Sequence, residues 1–274
     1  MCLRTSSSRK AAKMLSLPNP KFLVEGYEGN RGAHMYRAIG FGEPENYLIL
    51  DHLPSVTKKL DLIGGSKTGA LMGWAVKESL KHVDKRLVLA LSENLVVTRE
   101  LVIDVLAEGR KRPEKVKDAA ADLGTRIHAI IDKWIAGERE HLTSSIDEMV
   151  AFQNFQQFVA KMGLKFICGD LPVVSLKLKY GGRLDALAMI GNKLVLMDWK
   201  TSNAIRDDYA LQVAGYRLAL EETYGIRADR ALVVRFDKWD PKVLDYKEVA
   251  LGQATKTWKA LVKFESEYYR RAWK

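Results

Sequence analysis

Gly181-Gly182-Arg183-Leu184-Asp185-Ala186-Leu187-Ala188-Met189-Ile190-Gly191-Asn192-Lys193-Leu194-Val195-Leu196-Met197-Asp198-Trp199-Lys200-Thr201-Ser202 holds two apolar runs joined by two turn-forming residues. A two-residue Gly-Asn connection between such runs is a strong hairpin signal, and it fixes the register by pairing Ile190 with Lys193. Counting outward, Met189 faces Leu194, Leu187 faces Leu196, and Asp185 faces Asp198. Directly opposed residues share a face with Cβ atoms about 4.5–5.5 Å apart, and like charges so placed repel. Lys200 lies two residues beyond Asp198, so the strand period returns it to the same face, where the same counting sets Arg183 against it. Two arrangements relieve the repulsion. One is a salt-bridged patch in which Lys200 and Arg183 balance the carboxylates; the other is a bound divalent cation, since paired carboxylate oxygens suit magnesium or manganese.

Working outward, Leu171–Leu178 reads as a preceding strand, Asp207–Tyr224 as a helix and Ala231–Phe236 as a further strand. A helix over 114–137 comes before them, giving an αβββαβ order: an α/β fold with a small mixed central sheet flanked by helices. In that first helix Val116, Ala120, Leu123, Ile127, Ile130 and Trp134 form the apolar stripe, and His128 sits at its edge, to pack or to bind a ligand. On the later helix Gln212 and Tyr216 are four apart and share a face, with Tyr209 three residues before Gln212. They either pack the helix on the sheet or offer polar tips to Lys200 or a nucleotide.

Residues 1–20 contain no acid and read as a flexible basic tail. Residues 21–112 form a mainly helical N-terminal region after small strands and turns between Phe22 and Leu50. Helix starts at Pro54-Ser55-Val56-Thr57, and 69–83 and 98–109 have helical spacing. Gly64-Gly65-Ser66-Lys67-Thr68-Gly69 lacks the order of a phosphate-binding loop and reads as a turn. Residues 113–274 form the core, ending in an amphipathic helix over 251–274 that carries Trp258, Leu261 and Val262.

With 47% hydrophobic and 28% charged residues the chain is in the ordinary globular range. Its net charge of +10 favours a polyanionic partner, foremost nucleic acid. Two cysteines, Cys2 and Cys168, are too few for a disulfide framework or a four-cysteine metal cluster, so any metal is held by oxygen and nitrogen. No apolar run reaches the roughly 18–20 residues of a membrane span, and the first residues lack the continuous apolar stretch of a secretory signal. The expected location is intracellular, in the cytoplasm of a prokaryotic or phage-infected cell. The Arg/Ser-rich start also fits a mitochondrial presequence.

The order His128, Asp185, Asp198-Trp199-Lys200, Gln212 to Tyr216 resembles the PD-(D/E)XK nucleases, and within them the RecB-like exonucleases, over about residues 114–240. Pro54-Ser55-Val56-Thr57 with Trp74-Ala75 is also similar to the N-terminal region of the mitochondrial genome maintenance exonucleases and their phage relatives. The resemblance implies a restriction-endonuclease-like core. It implies that His128, Asp185, Asp198 and the Trp199 carbonyl hold Mg2+ or Mn2+, and that Asp185, Asp198 and Lys200 are catalytic. Gln212, Tyr216 and Arg183 would then meet the substrate or support the site. DNA is the implied partner, single-stranded or with free ends, in repair, recombination or replication.

The chain departs from the family twice. The Glu that often precedes the first core strand is missing, and the nearest acid, Asp170, is the candidate for its role at or beside the metal. The four cysteines that hold an iron–sulfur cluster in some members are absent, so no cluster is expected. The alternatives are a structure-selective or nicking endonuclease of the same fold, and a non-catalytic nucleic-acid-binding module.

Overall fold

The computed structural model describes residues 17–29, 34–42, 46–63, 65–139, 143–240 and 244–271, so most of the expected basic tail lies outside the described residues. The chain divides into two compact units, one of Met1–Leu62 with Arg126–Lys274 and one of Ile63–Thr125. The division does not follow a boundary at residue 112.

The central hairpin of the larger unit pairs β5 (Tyr180–Ile190) with β6 (Lys193–Lys200) antiparallel, from Ile190↔Lys193 to Ala186↔Met197. This is the register that the Gly191-Asn192 turn dictates, and Gly191 has a φ of +60°, where a glycine has no Cβ to clash. The backbone ladder between these strands ends at Ala186↔Met197, one pair short of the two aspartates. Beyond it β5 continues against β4 (Lys165–Ser175), and β6 continues against β7 (Arg230–Phe236) as far as Lys200↔Arg235. The strands therefore fork where Asp185 and Asp198 stand.

The full sheet has five strands in the order β4-β5-β6-β7-β8, with β8 at Leu244–Glu248 and only the β6–β7 pair parallel. The parallel step is made by the crossover helix α5 (Asp207–Tyr224), as expected of an α/β unit. The expected strand Leu171–Leu178 lies earlier, at Lys165–Ser175, because Phe166 to Gly169 already pair with β5.

A helix beyond the αβββαβ order, α4 (Ile146–Met162), comes in the chain between the histidine-bearing helix and β4. Its start is set by Ser145, whose hydroxyl accepts the Glu148 N–H, and its end by Gly163 in the left-handed region. Phe155 and Phe158 of α4 are fully buried and meet Trp199, which also touches Phe166 and Phe236, at ring separations of 5.5–6.5 Å. A second apolar cluster joins Leu187, Leu196 and Val233 to Val213 and Leu220 of α5 and to Trp258 and Val262 of α6 (Leu251–Arg271).

The segment expected to hold small strands forms an antiparallel sheet, β1 (Leu23–Glu28), β2 (His34–Gly40) and β3 (Tyr47–Pro54). Ser55 then caps α1 (Val56–Lys59) and bridges to Gly181. The Gly181-Gly182 pair exists for close approach. A Cβ on Gly181 would stand 2.5 Å from the Tyr36 Cβ, and one on Gly182 would stand 2.4 Å from the Tyr216 ring. Gly182→Ala is therefore expected to cost about 1–3 kcal/mol of stability by overpacking. Urea denaturation measures it, and an unchanged midpoint would mean that Tyr216 yields freely.

The smaller unit holds α2 (Gly65–Ser92) and most of α3 (Arg99–Ala136). The stretch at Gly65 to Gly69 is thus the start of a helix and not a turn. Within this unit Val83 of α2 fills the space left by Gly109, and His82 and Arg86 lie 3.2 and 3.5 Å from Glu108. Ala120, expected in the buried stripe of α3, is exposed, whereas Ile127, Ile130 and Ile131 are buried. Among the described residues no helix is long and apolar enough to cross a membrane.

Candidate active site

Four of the residues singled out by sequence meet at the fork. Asp198 is 1% exposed, and Lys200 Nζ stands 2.7 Å from its Oδ2 as an ion pair. The ammonium is thus the partner of this buried oxygen. Asp185 Oδ2 accepts the Trp199 N–H at 2.6 Å, a side chain taking the place of the ladder bond that the fork lacks. Its other oxygen lies 3.3 Å from His128 Nδ1, which α3 brings in from outside the sheet.

The charges are unequal because their surroundings are. Burial pushes the Asp198 carboxyl up to about 6, with Asp185 adding to the effect and Lys200 opposing it. Burial acts the same way on Asp185, but His128, Lys200 and the Trp199 N–H outweigh it and hold that carboxyl below its ordinary value. Burial disfavours protonation of His128 and Lys200, yet the two carboxylates outweigh it and raise both. The set is an acidic pair of which one member is ionised and the other is poised.

Arg183 does not face Lys200. It makes a two-pronged contact with Asp170 of β4, at 2.6 and 2.5 Å. Asp170 sits between the pairs Gly169↔Ala186 and Leu171↔Leu184 with a φ of +46°, rare for a residue with a side chain. Its carboxylate is committed to Arg183 and does not join Asp185 and Asp198.

Gln212 and Tyr216 are buried and bond to each other, the Gln212 amide donating to the Tyr216 hydroxyl at 2.9 Å. Lys200 instead lies over the ring of Tyr209, 4.7 Å from its centre, and Arg206 is at the same distance from that ring. Tyr209 thus steadies the ammonium, while the polar tips of Gln212 and Tyr216, which could equally have held it, meet each other.

Asp132 belongs to the site and is not among the residues chosen from sequence. It lies one turn beyond His128 on α3, and the bare Gly169 leaves it room, since a Cβ there would be 3.1 Å from its Oδ1. Burial first, then the charges of Asp170 and Asp185, push its carboxyl up to about 7. The signal in the sequence was its four-residue spacing from His128.

Because this value lies above the ordinary 3.8, the folded protein binds the proton more tightly than the unfolded chain. Stability contributed by Asp132 is therefore complete below about pH 4 and is lost as pH rises through about 7. Asp132→Asn removes that loss. In metal-free buffer it is expected to melt a few degrees above the parent protein at pH 8 and level with it at pH 4. Equal melting at both pH values would show that the carboxyl is not strained.

Among the described residues no three His, Cys, Asp or Glu side chains are already gathered on one point at metal-ligand distance. The donor chemistry nevertheless suits a divalent cation: two carboxylates, one of them buried, and an imidazole.

No protein-family profile matches the chain, and no curated protein matches it. Solved structures with similarity include an alkaline exonuclease (LHK-Exo) from Laribacter hongkongensis, 12% identical, covering 54% of this chain and 82% of that one with a TM-score of 0.30. They also include SSO0001, 13% identical, covering 74% of this chain and 88% of that one with a TM-score of 0.29. At such scores neither likeness establishes a relationship.

Proposed function

We propose that this chain is a metal-dependent deoxyribonuclease of the RecB-like PD-(D/E)XK type, which hydrolyses phosphodiester bonds of single strands or free ends as an exonuclease. The observation that carries the reading is the buried Asp198, at a strand fork shared with Asp185 and Lys200. A salt-bridged surface patch fits less well, because Asp198 is buried and Arg183 has turned to Asp170.

Asp185, Asp198, His128 and the Trp199 carbonyl would hold Mg2+ or Mn2+. A cation bound there supplies Lewis acidity, activating water and offsetting charge that develops on the phosphate. An imidazole beside carboxylates suits manganese better than an all-oxygen shell does, so activity is expected to be higher with Mn2+ than with Mg2+. Lys200 keeps its proton in this setting, and so it orients the attacking water by donation and stabilises the charge gathering on the phosphoryl oxygens. Tyr209 limits the directions open to that ammonium. Asp185 fixes its own orientation by accepting the Trp199 N–H.

Incubation of end-labelled linear and covalently closed circular DNA, single- and double-stranded, with Mg2+, Mn2+ or EDTA tests the reading. Linear single strands should be shortened from an end, circles left whole, and EDTA should stop the reaction. Cutting of circles would establish an endonuclease of the same fold. Binding without cleavage under every metal condition would establish a nucleic-acid-binding module instead.

A further inference from the structure

We propose that Trp239 is a stacking platform for one unpaired base of the strand being cut, an inference that rests on the nuclease reading above. Trp239 is 72% exposed, the most exposed tryptophan among the described residues. An indole left in water forgoes one of the largest hydrophobic gains available to a side chain. The segment that presents it is nonetheless firmly built.

Asp237 Oδ1 accepts the N–H groups of Trp239 and Asp240 at 2.8 and 3.0 Å, and Arg235 anchors Asp237 Oδ2 at 3.0 Å. From the other side Asn154 of α4, fully buried, donates its amide to the carbonyls of both Asp237 and Asp240 at 3.0 Å. A fully buried side chain and an ion pair are thus spent on fixing the backbone on either side of an exposed ring. A ring carried on a backbone fixed in this way binds a flat partner with less loss of freedom than one on a loose loop.

Its position links it to the candidate active site. β6 and β7 run parallel, so they end on the same side of the sheet, and Lys200 is paired with Arg235. Trp239 follows Arg235 by four residues. Four residues span at most about 14 Å and neighbouring strands are about 4.8 Å apart, so the Trp239 backbone lies within about 19 Å of that of Lys200. That is a few nucleotides of an extended strand, and the ends of parallel strands are where open α/β sheets receive ligands.

The sequence neighbours Asp237, Lys238 and Asp240 are polar, so the ring does not continue an apolar run as a protein-docking face would. Every base has a π-face, so one indole receives any base, while Lys238 adds a positive charge for the adjoining phosphate. The inference sets a preference for unpaired over fully paired DNA near the cut, because a stacked base must leave its duplex.

The test uses the full chain carrying Asp198→Asn, without divalent ions, and measures equilibrium binding of a short single-stranded oligodeoxynucleotide and of a ladder of the same strand with one abasic site moved along it. Adding Trp239→Ala should weaken binding of the intact strand by about 5- to 150-fold, while Trp239→Phe keeps most of the affinity. With Trp239 present one ladder position should bind weakly; with Trp239→Ala that position should lose its distinction. Trp239→Phe also reports on folding, since it preserves a ring at the site. Strand binding that Trp239→Ala leaves unchanged, or a ladder profile that it leaves unchanged, overturns the stacking role and leaves the nuclease reading standing. Absence of strand binding together with absence of cleavage by the parent protein overturns both. Capture of a protein partner through Trp239 with no effect on the strand replaces the inference with a protein-docking role.

Discussion

Asp185→Ala, Asp198→Ala and Lys200→Ala are each expected to lower the single-turnover rate of DNA cleavage by at least about 10³-fold, since on the proposed mechanism the two aspartates would hold the cation and Lys200 would stabilise the charge gathering on the phosphoryl oxygens. The three variants should differ in stability, because burial treats them differently. Asp198 is buried and its carboxyl is raised to about 6, so at neutral pH its charge is a burden that Lys200 offsets. Asp198→Asn should therefore cost less stability than Lys200→Ala, because Lys200 keeps Asp185 as a partner, while Lys200→Ala leaves a buried carboxylate without its cation and should lose stability above about pH 6. Cleavage and melting measured on the same preparations separate chemistry from folding. Full activity in any one of the folded variants removes that residue from the mechanism.

The second large effect concerns salt. A net charge of +10 that serves a phosphate track makes affinity fall steeply as salt rises, because each neutralised phosphate releases counterions. Six to ten such contacts correspond to a loss of about 10³–10⁵ in affinity between roughly 50 and 200 mM salt. The Asp198→Asn protein is the right subject, since it binds without consuming the strand. A flat response would assign the surplus lysines and arginines to solubility and would count against a nucleic-acid substrate.

The hairpin and the site were legible for the same reason. Gly191-Asn192 permits only a tight turn, and once the turn is set the strand period carries the register outward to Met197 without further information. The counting fails where the backbone stops obeying it. Past Ala186↔Met197 the strands fork, and Arg183, which the count sets against Lys200, finds Asp170 on the other neighbouring strand. Sequence separation gives no sign of that competition, which is decided by reach and by the unusual φ of Asp170.

Gln212 and Tyr216 illustrate the same limit. Their shared face is legible, but whether they turn to each other or to Lys200 depends on burial that only the packed helix defines. The α4 helix had a local signature in Ser145 with Glu148 three residues later and buried Phe155 and Phe158 at three-residue spacing. β8 had little signature, being five residues with alternating charge that lean on β7 for their pairing.

The proposed function requires that the fork between β5 and β6 bind a divalent cation. Anomalous diffraction at the manganese edge, from crystals of the full chain soaked in Mn2+, tests it most directly. A strong peak is expected within bonding distance of both Asp185 and Asp198, with the His128 imidazole and the Trp199 carbonyl completing the protein's ligands and Lys200 displaced from Asp198 Oδ2. An empty fork at saturating Mn2+, with Lys200 still paired to Asp198 and His128 still on Asp185, would contradict the account.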